Sequence, residues 1–78
     1  METPSQKIFN EMKLVASTVW GTYDNTYGYV TEKLDYINGL ENIQDNAMVF
    51  YRMFDWINQS RMEEGLSEDS LEYIKNNK

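Results

Sequence analysis

The chain contains no cysteine, no histidine, one proline, four glycines and only seven basic residues in 78. Each shortage removes a class of chemistry or architecture. Without cysteine there are no disulfides to staple a small fold, so stability must come from apolar packing or from association. Without imidazole or thiolate, the common zinc sites and the His-assisted serine and cysteine nucleophiles cannot be assembled. Gly21, Gly28, Gly39 and Gly65 are too scattered for either familiar phosphate-cradling fingerprint. A calcium loop fails as well. With Gly28 in the invariant glycine position, Tyr23 falls where the first Asp belongs and Leu34 where the bidentate Glu belongs. Paired carboxylates can do acid–base work only if burial shifts one of them, and the acids here fall on polar faces. The expectation is therefore a non-enzymatic protein with no catalytic residues, no cofactor and no metal.

Scarcity of base has its own consequence. Thirteen acids against seven bases leave a net charge of −6 and a pI near 4.4. Nucleic-acid binders carry a basic stripe, and none exists here, so direct contact with nucleic acid or anionic lipid is disfavoured while a protein partner with a basic surface is favoured. No apolar run approaches the roughly 18 residues of a membrane span. Glu2, Lys7, Glu11 and Lys13 interrupt the first twenty residues, which speaks against a signal peptide and for a cytoplasmic protein.

What the chain does have is hydrophobic content of 41% and aromatic content of 14%, including Trp20, Trp56 and six tyrosines. That supply suits one small ordered core, so residues 1–78 read as a single helix-rich domain with tails at 1–3 and 76–78 that fray. The fold class is mainly α, a bundle of three to four helices at about 4–20, 31–38, 41–64 and 67–76. Thr3-Pro4-Ser5-Gln6 reads as a capped helix start, with Gln6 completing a capping box. Ile8, Met12, Val15 and Val19, with Phe9, Ala16 and Trp20, then span an arc of roughly 140° at about 100° per residue. Leu14 and, later, Met48 fall off their apolar stripes. Residues 17–30 admit two readings. Helix is favoured, but Thr18–Tyr23 and Thr26–Thr31 are rich in β-branched and aromatic residues, and Asp24-Asn25 suits the turn of a β-hairpin in an α+β alternative. Thr31 caps a short helix that ends at Asn38-Gly39.

Residues 41–64 give the strongest periodic signal. Ile43, Ala47, Val49, Phe50, Tyr51, Met53, Phe54, Trp56 and Ile57 cover roughly 220° of a helical wheel. A single helix so widely apolar must be central to the core or pack against a second molecule. Core packing is favoured over a ligand pocket for Phe50, Met53, Phe54 and Trp56. Gly65 ends this helix and Ser67 caps the last one, which carries Leu71 and Ile74.

Two surfaces are candidates for a partner. Glu63, Glu64, Glu68, Asp69 and Glu72 lie between Arg61 and Lys75 with no base among them. A solvated face explains such a run, and Glu68 and Asp69 also complement a helix dipole. The functional alternative is a patch for Lys/Arg clusters, with some character of a nucleic-acid mimic. Tyr29 and Tyr36 point away from the stripe Tyr27-Val30-Leu34-Ile37, and exposed tyrosines are favoured interface residues. Size and charge together resemble what is expected of phage- or plasmid-type inhibitors and antitoxin-like proteins. The expectation is thus stoichiometric protein–protein binding by an inhibitor or regulator of a basic or nucleic-acid-handling protein. The competing expectation is a homodimer or larger homo-oligomer, structural or adaptor in role, built on the broad apolar helix 41–64.

Overall fold

The computed structural model describes the backbone of residues 3–20 and 24–78 and the side chains of residues 3–20 and 28–78. Among these residues the chain forms five helices and no strand: α1 (Pro4–Trp20), α2 (Asp24–Asn38), α3 (Asn46–Arg52), α4 (Trp56–Glu63) and α5 (Glu68–Asn77). None of them is long and apolar enough to cross a membrane.

Helix α1 starts where Thr3 and Pro4 predict. The Gln6 backbone N–H donates to Thr3 Oγ1 at 3.0 Å, which satisfies one of the donors left open at a helix start. The Gln6 side chain does not close a capping box. It donates to Asn10 Oδ1 and accepts from Asn46 Nδ2, so it links α1 to α3 instead. Ile8, Met12, Ala16 and Trp20 recur every fourth residue and are all buried. This row makes α1 the central element, packed against α2, α3 and α4.

The helical reading of residues 17–30 holds where the chain is described. Helix α1 continues to Trp20 and α2 begins at Asp24, so the hairpin is not formed and Asp24-Asn25 opens a helix rather than a turn. Gly21, Thr22 and Tyr23, and the side chain of Tyr27, lie outside the described residues. Thr31 is not a cap, because it sits in the middle of a 15-residue α2. The physical reason is tertiary. Trp20, 1% exposed, stacks on Phe54 with centroids 5.2 Å apart and planes 10° from parallel, and Val30 and Ile37 bury a helical stripe. Packing of that kind outweighs the β preference of threonine, valine and tyrosine.

The predicted helix 41–64 is two shorter helices preceded by a loop. Asn42 adopts a left-handed φ of 63°, which asparagine tolerates better than most residues. Asp45 then caps α3, accepting from the Met48 N–H at 3.0 Å. At Met53–Asp55 the helix stops. Asp55 turns extended, with ψ 170°, and its carboxylate accepts from the Asn58 N–H to begin α4. Gln59 Nε2 donates to the carbonyls of Tyr51 and Phe54, two acceptors that the break would otherwise leave open. Splitting the helix resolves its 220° apolar arc. Phe50 meets Phe9 edge-on at 5.6 Å, and Phe54 meets Phe50, Trp20 and Tyr29.

The break also corrects three placements. Met48, off the stripe of a continuous helix, is 1% exposed, whereas Trp56 and Ile57, both on the expected apolar arc, are 75% and 52% exposed. Leu14 is exposed as its position predicts.

Helix α5 is capped by Ser67, whose Oγ accepts from the Ser70 N–H. It is seated by Ile74, which is fully buried, and by a few long-range polar contacts.

Candidate interaction surfaces

Those polar contacts begin with Glu11 on α1. Its carboxylate accepts from the Ser67 backbone N–H at 2.6 Å, from Ser70 Oγ at 2.8 Å and from Ser67 Oγ at 3.2 Å. An acid 56 residues away in sequence thus completes the cap of α5. Partial burial opposes its charge, but the bonds from Ser67 and Ser70, with Lys7 nearby, prevail and hold its pKa below the usual glutamate value.

Asp45 is the second hub. Besides capping α3, it accepts from Ser5 Oγ and from Tyr73 Oη, each at 2.7 Å, and so joins α1, α3 and α5. Desolvation works against the carboxylate here too. The Met48 N–H, Ser5 and Tyr73 outweigh it and lower its pKa. Burial and the neighbouring Asp45 raise that of Tyr73. Arg52 adds a last tie by donating to the Asn77 carbonyl. Both acids are therefore engaged in holding helices together.

The acidic residues flagged from sequence are divided by the structure. Glu63 is half-buried and pairs with Lys78, beyond the end of α5, at 3.8 Å. Glu64 and Glu68 are exposed around the α4–α5 turn. Asp69 and Glu72 line a groove between the first turns of α1 and α5, with a volume of about 560 Å³. Pro4, Ile8 and Tyr73 contribute apolar lining, and Glu11 and Lys7 complete its charged rim. The run thus divides into a half-buried acid paired with Lys78, two exposed acids at the α4–α5 turn and two that line the groove.

The tyrosines separate in the same way. Tyr36 is 58% exposed, as its position on the wheel predicts. Tyr29 is half-buried and packs edge-on against Phe54 at 5.7 Å, with the Lys33 ammonium 4.0 Å above its ring. It belongs to the edge of the core and is not a free anchor.

The apolar feature that sequence reading missed is the start of α4. Trp56 is 75% and Ile57 52% exposed, side by side, directly after the Asp55 cap. The available signal was Asp55 itself, a helix-start residue inside an apolar run. Comparison with protein-family models, with curated proteins and with solved structures finds no match to this chain.

Proposed function

We propose that this protein acts without catalysis, by stoichiometric binding to another protein with a basic surface, as an inhibitor or regulator of a nucleic-acid-handling partner. Trp56 is the observation that carries the reading. A tryptophan 75% exposed, in a chain that buries its other tryptophan completely enough to stack it on Phe54, forgoes a large hydrophobic gain. The ring is held on a firm base. The Asp55 cap and the Gln59 bonds to the Tyr51 and Phe54 carbonyls fix the start of α4, so a partner orders little on binding. Tryptophan is also the residue type most enriched among those that dominate binding energy. The net charge of −6 supplies attraction and orientation towards a basic surface, a term that weakens as salt screens it.

A self-associating protein is the other reading, and it rests on the same pair. The 41–64 face first suggested for it is divided between two helices and mostly turned inward.

One comparison tests both. The wild-type chain and a Trp56→Ala/Ile57→Ser variant serve as baits for proteins of a cell extract at low and high salt. A basic protein retained by the wild type, lost from the variant and weakened by salt is the expected result. Equal retention by both baits overturns the reading. So does sedimentation of the pure wild type as a dimer that the variant abolishes, with no other protein retained. Because both side chains are exposed, the variant should unfold within about 0.5 kcal/mol of wild type, so loss of binding is not loss of fold.

A further inference from the structure

We propose that the groove between α1 and α5 docks a short arginine-bearing segment of the protein partner. This rests on the binding function above and gives its basic partner a defined seat. The lining selects the occupant. Pro4, Ile8 and the Tyr73 ring offer apolar surface on which an arginine stem or a neighbouring aliphatic side chain can lie. The charged lining is Glu11, Asp69 and Glu72 against Lys7, three negative and one positive, so the groove favours a cation.

An anion at the start of α5 is disfavoured, since the Glu11 carboxylate already takes the Ser67 N–H and the Ser70 hydroxyl and repels like charge. Glu11 is spent in this way, and Asp69 and Glu72 are not. Both are exposed, neither forms an ion pair among the described residues, and their spacing of three places them on one face of α5. Two neighbouring carboxylates suit the planar fork of a guanidinium better than the point charge of an ammonium. The volume of about 560 Å³ lies within the range of sites that hold ligands, and the groove is open, which suits a chain segment rather than an enclosed metabolite.

The probe is a synthetic peptide alternating arginine with leucine, titrated into the ¹⁵N-labelled full chain, with the glutamate-for-arginine peptide as its control. Saturable amide shifts should appear at Lys7, Ile8, Ser70 and Tyr73 with the arginine peptide and not with the control. Asp69→Asn/Glu72→Gln should weaken binding by about tenfold. Glu64→Gln/Glu68→Gln removes the same charge from the same corner outside the groove, and should leave binding within about twofold once general screening is allowed for. Equal weakening in the two variants, shifts centred elsewhere, or no binding of the arginine peptide overturns the groove. The two proposals fail separately. A natural partner that depends on Trp56 and Ile57 but not on Asp69 and Glu72 leaves the binding function standing and removes the groove. Specific seating of the arginine peptide, with no partner retained from the extract, does the reverse.

Discussion

The carboxylate of Glu11 sits on α1 but accepts hydrogen bonds from Ser67 and Ser70 at the start of α5. A capping interaction is usually supplied by the helix's own flank, and Ser67 does supply one to the Ser70 N–H. Glu11 takes the Ser67 N–H and both hydroxyls, and the Ser67 hydroxyl is shared with Ser70 Oγ at 3.2 Å. Glu11→Ala should therefore lower stability by about 1 kcal/mol, since the site is partly open and water can replace some of what is lost. Glu11→Gln keeps an acceptor oxygen of the same reach and should lose less than half as much. Urea unfolding of the two variants decides between this bridge and a surface acid of no consequence, for which both changes would be neutral. Asp45 follows the same logic with Ser5, Met48 and Tyr73 as its donors.

Among the elements, the α3–α4 break matters most, because it decides which aromatic residues the protein keeps and which it displays. A continuous helix would hold Phe54 and Trp56 about 200° apart on one cylinder. The extended Asp55 instead lets Phe54 close over Trp20 while Trp56 leaves the core. Two devices hold the break: the Asp55 carboxylate on the Asn58 N–H and the Gln59 amide on the Tyr51 and Phe54 carbonyls. Asp55→Ala removes the first and should cost about 1 kcal/mol, the usual worth of an N-cap. Amide exchange at Asn58 and Gln59 should quicken more than at Met12 or Ala16, which lie in the central helix. Uniform exchange across the chain would mean that the cap does not act locally.

For the whole molecule, the two carboxylate hubs join the sequence ends of the bundle to its middle, so acid acts on the assembly rather than on one helix. Glu11 and Asp45 both have folded-state pKa values below their ordinary 4.5 and 3.8. At a given acidic pH the unfolded chain then binds more protons, and stability rises with pH. Their contribution is complete above about 4.5 and is lost as pH falls through the lowered values. Tyr73 works in the opposite sense. Its raised pKa stabilises the fold below the ordinary 10.0, a contribution lost as pH climbs through the raised value. Urea midpoints should therefore hold steady around neutrality and fall on both sides. The Glu11→Gln/Asp45→Asn variant should show a flatter acid limb. An unchanged acid limb in that variant would place the sensitivity elsewhere. The radius of gyration, 11.8 Å, is close to the roughly 11.5 Å expected of a folded chain this long.

Helices α1 and α5 were legible in the sequence because what makes them is local: Thr3 and Pro4 at one start, Ser67 at the other, and apolar residues at helical spacing between their ends. The acidic balance and the lack of imidazole and thiol were equally plain, being matters of composition. The division of residues 41–64 was not. Asp55 in an apolar run satisfies a continuous helix nearly as well as it caps a new one, and only the fit of Phe54 against Trp20 and Tyr29 makes the break the better arrangement. The candidate surfaces depended on the same long-range packing. Asp69 and Glu72 were visible as acids, but the groove they line exists because Glu11, far away along the chain, draws the start of α5 onto α1. Local propensity and charge are properties of neighbours in sequence and can be read there. Burial, exposure and the meeting of distant polar groups depend on which surfaces exclude water together, and that only the folded chain decides.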